Sequence, residues 1–126
     1  MANPLVMFID DSETALASTR MTVTSMPIEV KQYLEAQLCL NDVKAGIVPD
    51  LIITDLNMPV MNGLELLKEL RALPATKRTP VLMLTTETKD ELKTQGKALG
   101  LTGWIVKPFN PTQLKSAITR VLRLPA

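Results

Sequence analysis

The chain has 126 residues, 46% hydrophobic and 21% charged, with 14 Lys and Arg against 13 Asp and Glu for a net charge of +1. That length supports one apolar core and leaves no room for a second, so a single domain is expected over residues 1–126. Near-neutral charge excludes a broadly basic nucleic-acid binder, the lone Cys39 excludes an internal disulfide or a multi-cysteine zinc site, and the absence of histidine excludes Ser-His-Asp and Cys-His catalysis.

Leu5 to Ile9 is a continuous apolar run of strand length, followed by Asp10 and Asp11. Ser12 then opens a helical stretch to Thr24, with Glu13 in its first turn. A weaker strand lies around Ile28 to Val30. Glu35 to Gly46 is the least legible segment: Leu38, Leu40 and Val43 allow a short helix without fixing its register. A third strand, Leu51 to Ile53, leads to Asp55, and Asn62-Gly63 precedes a helix in which Leu66, Leu70 and Leu73 fall at i, i+4 and i+7 before Pro74 stops it. Val81 to Leu84 is a fourth strand, closed by Thr85 and Thr86, and Thr88 to Leu99 reads as a helix stopped by Gly100. The last unit is a strand from Trp104 to Val106, then Lys107, then a helix that starts at Pro111 and carries Leu114, Ile118, Val121 and Leu122 on one face.

Continuously apolar strands alternating with helices indicate a parallel sheet covered on both faces, an α/β fold of five units in series. Right-handed crossovers place every strand's carboxyl end on one edge, where open α/β sheets bind ligands. Asp10-Asp11, Asp55, Thr85-Thr86 and Lys107 each follow a different strand, so all converge there. Singly, each has a plainer role: a helix cap, a turn, a strand residue, a surface lysine. Jointly they make a site. Three carboxylates so close repel one another, and a bound hard cation removes the conflict; magnesium, which takes oxygen ligands, fits, while nothing here favours zinc. A carboxylate beside a divalent ion, a hydroxyl and an ammonium suits phosphoryl transfer, with Asp55 as nucleophile, Asp10 and Asp11 holding the metal, and Thr85 and Lys107 each contacting a phosphoryl oxygen.

The runs Phe8–Ser12 (FIDDS), Asp50–Pro59 (DLIITDLNMP) with Met61–Gly63 (MNG), Val81–Thr85 (VLMLT) and Gly103–Phe109 (GWIVKPF) together resemble the response-regulator receiver domain of the single-domain, CheY-like chemotaxis type. The resemblance implies a flavodoxin-like five-stranded parallel sheet of order 2-1-3-4-5 with helices on both faces. It implies that Asp55 accepts a phosphoryl group from a phosphohistidine on a sensor histidine kinase. Asp10, Asp11 and Asp55, with the backbone carbonyl of Asn57, would hold Mg2+. Thr85 matches the switch hydroxyl and Lys107 the lysine that contacts the phosphoryl group, and the Lys107-Pro108 peptide is expected to be cis. Trp104 stands at the switch-aromatic position, where the family usually has Tyr or Phe. The glycines common around the family's second strand are missing here, so irregular geometry is expected between Ser25 and Ala45.

Output in such proteins runs through the face made by the fourth helix, fifth strand and fifth helix, to a downstream protein target. Lys89, Lys93 and Lys97 recur every four residues along that helix and are read as a solvated face. With few residues after Leu122, no attached effector domain is expected. No apolar run approaches the roughly 18 residues of a membrane span and no cleavage pattern follows the first strand, so a cytoplasmic monomer is expected. Three other functions compete. One is a small aspartate-nucleophile phosphohydrolase, although such enzymes commonly place a second acid/base aspartate where this chain has Asn57. Another is a phosphate-sink receiver with no target of its own. The third, a flavodoxin-like cofactor binder, lacks a Gly-rich phosphate loop.

Overall fold

Strands and helices alternate along the whole described length, residues 3–125 of a computed structural model. The order is β1 (Leu5–Ile9), α1 (Glu13–Val23), β2 (Glu29–Tyr33), α2 (Ala36–Lys44), β3 (Leu51–Thr54), α3 (Gly63–Arg71), β4 (Val81–Thr85), α4 (Asp90–Ala98), β5 (Gly103–Val106) and α5 (Pro111–Leu122). A single 3-10 turn at Pro74–Thr76 lies between α3 and β4. All four strand pairings are parallel and the sheet order is β2-β1-β3-β4-β5, the flavodoxin-like order expected from the sequence.

Alternation along the strands divides the core between the two sheet faces. Met7, Ile9 and Ile52 pack with Cys39, Leu40 and Val43 of α2 and Leu66, Leu67 and Leu70 of α3. Their neighbours Val6, Phe8, Leu51 and Ile53 point the other way, onto Leu16 and Val23 of α1 and Leu114 and Ile118 of α5. β3 and β4 are buried at every position, whereas edge strand β2 follows an exposed-and-covered alternation, which is why its run reads weakly in the sequence. Among the described residues, no helix is long and apolar enough to cross a membrane.

The helix starts follow local chemistry. Ser12 accepts a hydrogen bond from the Ala15 N–H, Asn110 one from the Thr112 N–H ahead of Pro111, and Asn62 with Glu65 forms a reciprocal capping box.

Three expectations need correction. The segment from Ser25 to Ala45 is regular: β2 pairs in register with β1 along its whole length, and α2 is an unbroken helix. Its register is set by Ala36, Cys39, Leu40 and Val43 at i, i+3, i+4 and i+7, while Leu38 is 46% exposed. The fourth helix starts two residues later than Thr88, because no side chain caps it; Lys89 holds the cap position. And α3 ends at Arg71, before Pro74, which instead opens the 3-10 turn.

Candidate functional site

The carboxyl ends of β1, β3, β4 and β5 bring together Asp10 and Asp11, Asp55, Thr85 and Lys107. β1 and β3 are neighbours in register, Ile9 opposite Thr54, so the next residues of each strand, Asp10 and Asp55, leave the sheet side by side. A carboxylate oxygen from each of Asp10, Asp11 and Asp55 lies within 4.8 Å of the other two. Asp10 is buried, Asp55 half-buried and Asp11 exposed, so the cluster opens to solvent on the Asp11 side.

Two of the three carboxylates, those of Asp10 and Asp55, are aimed by the backbone. The Ser12 N–H donates to Oδ1 of Asp10 at 3.0 Å, and Oδ1 of Asp55 accepts from the N–H of Leu56 at 2.6 Å and of Asn57 at 3.4 Å. The remaining oxygens face Lys107, whose Nζ donates to Oδ2 of Asp10 at 2.5 Å and to Oδ2 of Asp55 at 3.3 Å. Burial alone would lower the Lys107 pKa. The hydrogen bond to Asp10 and its charge, then Asp55, outweigh burial and raise the pKa above its ordinary value, so this lysine stays an ammonium. The Lys107-Pro108 peptide is cis, as the resemblance implied.

Three carboxylates and one ammonium leave a formal charge of −2 in the cluster. That is the complement of one divalent cation, and the donors are all oxygen, the set a hard ion prefers. The residues therefore fit magnesium.

Thr85 is fully buried at the end of β4, and its hydroxyl accepts the Glu87 N–H at 3.2 Å; among the described contacts it does not touch Asp55 directly. Trp104 lies outside the carboxylate cluster. Its indole N–H donates to the Glu87 carbonyl at 2.9 Å, and Lys93 of α4 sits over the ring, 5.9 Å from the centroid. Lys93 is thus partly covered, whereas Lys89 and Lys97 are the exposed lysines the sequence spacing indicates.

Two supporting positions escaped the sequence reading. Glu87 links Thr85 to Trp104 through its main chain alone, and main-chain atoms leave no mark in residue type. Gly63 packs against the Asp55 peptide: a Cβ there would lie 2.3 Å from the Asp55 carbonyl oxygen and 2.9 Å from Met83 Sδ. The adjacent pair Asn62-Gly63 was readable as a helix start, but not as this close approach.

Comparison with known proteins gives matches over nearly the whole chain. Residues 6–119 match the family model described as the response regulator receiver domain. The chain is 39% identical to a chemotaxis protein CheY homolog of Campylobacter jejuni, over 93% of this chain and 91% of that protein. It is 31% identical to the phosphate regulon transcriptional regulatory protein PhoB of Rhizobium meliloti, over 95% of this chain; the match covers only 52% of PhoB, so this chain spans about half the length of that relative. Among solved structures, chemotaxis protein CheY4 of Vibrio cholerae superposes with a TM-score of 0.89 at 42% identity, covering 96% of this chain and all of that one.

Proposed function

Because the chain belongs to the response regulator receiver domain family, we propose that it is switched by phosphorylation of Asp55, the donor being a phosphohistidine on a sensor histidine kinase. Lys107 is the observation that carries the reading: one ammonium from the last strand reaches carboxylates on two other strands, as a site built to hold a phosphoryl group requires. A carboxylate oxygen of Asp55 forms a bond to phosphorus as the phosphorus–nitrogen bond of the donor breaks, leaving an acyl phosphate on Asp55 and the imidazole of the kinase. Asp10, Asp11, Asp55 and the Asn57 carbonyl would hold Mg2+, which supplies positive charge to the phosphoryl oxygens.

The chain's own groups do the rest. The N–H groups of Leu56 and Asn57 fix the Asp55 carboxylate, so it meets the donor already oriented. Lys107 follows the charge as it spreads onto the phosphoryl group. Thr85 donates its hydroxyl to another phosphoryl oxygen, and turning the side chain toward it displaces the oxygen that now accepts the Glu87 N–H. That movement is how occupancy of Asp55 reaches the face made by α4, β5 and α5, where Trp104, Lys93 and the exposed Val106 would meet a downstream protein.

Incubation with acetyl phosphate and Mg2+ is expected to add one phosphoryl group by intact mass, and Asp55→Asn is expected to lose it. Labelling of Asp55→Asn at the wild-type rate would overturn the assignment. Steady turnover of a generic phosphate monoester, in place of one slow-decaying adduct, would favour a hydrolase.

A further inference from the structure

The helices run antiparallel to the strands, so α3, α4 and α5 all end at the amino edge of the sheet, opposite Asp55. There a broad open groove of about 760 Å³ is lined by Arg71, Lys77, Arg78, Arg120 and Arg123, with Pro80, Leu99 and Val121 among its apolar residues. Five of the chain's fourteen basic residues line it and none of its thirteen acidic ones does, leaving nine basic against thirteen acidic residues over the rest of the molecule.

Helix ends account for only part of this charge. Cations favour helix C-termini, and Arg71 serves the end of α4 directly, donating to the carbonyls of Leu99 and Gly100. It also donates to Thr76 and Thr79, so four of its N–H bonds go to main-chain carbonyls and none to a carboxylate. Its hydrogen bonds are met while its charge is not, and burial lowers its pKa accordingly. At the end of α5 the last carbonyls of Thr119 and Arg120 are taken by the main chain. Lys77, which closes the 3-10 turn, and Arg78 lie on the connection into β4, and neither side chain donates to a helix carbonyl among the described residues. None of the five cations joins an ion pair among the described residues; Asp50, which borders Lys77 and Arg78 in the adjoining hollow, accepts the Leu5 N–H.

We infer that this groove is a docking site for an acidic, leucine-containing segment of a partner protein, separate from the phosphorylation site and from the face of Trp104. Arg71, the partly buried cation of the groove, has spent its paired donors on carbonyls and the other four cations are exposed, so no enclosed fork is left for a compact phosphate. No aromatic residue lines the groove, so nucleic-acid bases have no surface to stack on. Long exposed cations spread around an apolar floor instead match carboxylates spaced along a peptide whose apolar side chains fill the trough.

Fluorescence anisotropy with a fluorescein-labelled peptide of four Glu-Leu-Asp-Ser repeats tests this on the full chain. Saturable binding is expected, weakening steeply with added salt and by about tenfold or more in Lys77→Glu/Arg78→Glu. Arg120→Gln/Arg123→Gln provides a second, milder variant, expected to weaken binding in the same direction. Neither pair belongs to the phosphorylation site, so acetyl phosphate labelling is expected to persist in both and reports folding independently. No saturable binding by the wild type, binding by both variants as tight as the wild type's, or tighter binding of a single-stranded oligonucleotide than of the peptide would each overturn the inference.

Discussion

Cys39 is a small buried side chain whose protonation couples to folding. Burial first, and the charge of Asp42 second, push its thiol from 9.0 up to about 12. The nearby Tyr33 hydroxyl moves the same way, through burial and its hydrogen bond to Asp42. For both groups the fold favours the neutral form. The unfolded chain therefore loses protons first as the pH rises, and the stability present at neutral pH falls once the unfolded Cys39 begins to ionise near 9.0. Urea unfolding at about pH 8 and about pH 10.5 is expected to show Cys39 accounting for roughly 2 kcal/mol of the loss. Cys39→Ala should lose less stability than wild type over that interval, and equal losses would assign the alkaline sensitivity elsewhere. At this scale the candidate site was legible because its polar side chains stand at or just beyond the carboxyl ends of apolar strands, where a run of apolar residues gives no reason for them. Val60 was not. It is 97% exposed at a φ of 70°, a conformation β-branched residues rarely adopt, and residue type alone gives no warning of it.

Between elements, glycines mark where two backbones or helices nearly touch. Gly63 opens α3 against the Asp55 carbonyl, which is main chain and has nowhere to go, while Gly96 in α4 faces the tip of Leu101, which can rotate. Gly63→Ala is therefore expected to cost about 2 to 3 kcal/mol in urea unfolding and to slow labelling of Asp55. Gly96→Ala should cost distinctly less, because the helix gains from alanine what the contact loses. Equal effects would mean that the Asp55 peptide is not pinned as described. The same scale explains what the sequence hid. α2 buries an alanine and a cysteine on its inner face and exposes Leu38, so a search for large apolar residues finds the wrong register. β3 and β4, buried throughout, could not be mistaken.

Across the whole molecule, three hydrogen-bonding residues join the buried end of β4 to the outer surface. The Thr85 hydroxyl accepts from the Glu87 N–H, and the Glu87 carbonyl accepts from the Trp104 indole. Under the proposed switch, drawing Thr85 toward a phosphoryl group would displace the first bond and, through Glu87, the second. Beryllofluoride with Mg2+ is expected to change the emission of Trp104, the sole tryptophan, in wild type. Asp55→Asn should show no change, and Thr85→Val should lose the response while still binding the mimic. Saturation without any spectral change in wild type would sever the proposed link.

Lys107 adds a mechanical side to this. It reaches from the outermost strand past the ends of β4 and β3 to Asp10 on β1, joining residues 97 positions apart. One ammonium thus cinches the rim of the sheet like a drawstring. Whatever draws the Asp10 or Asp55 charge away from this ammonium resets that cord, and the strand held at its far end is β5. We expect an electrical event at the middle of the molecule to be felt as play at its margin.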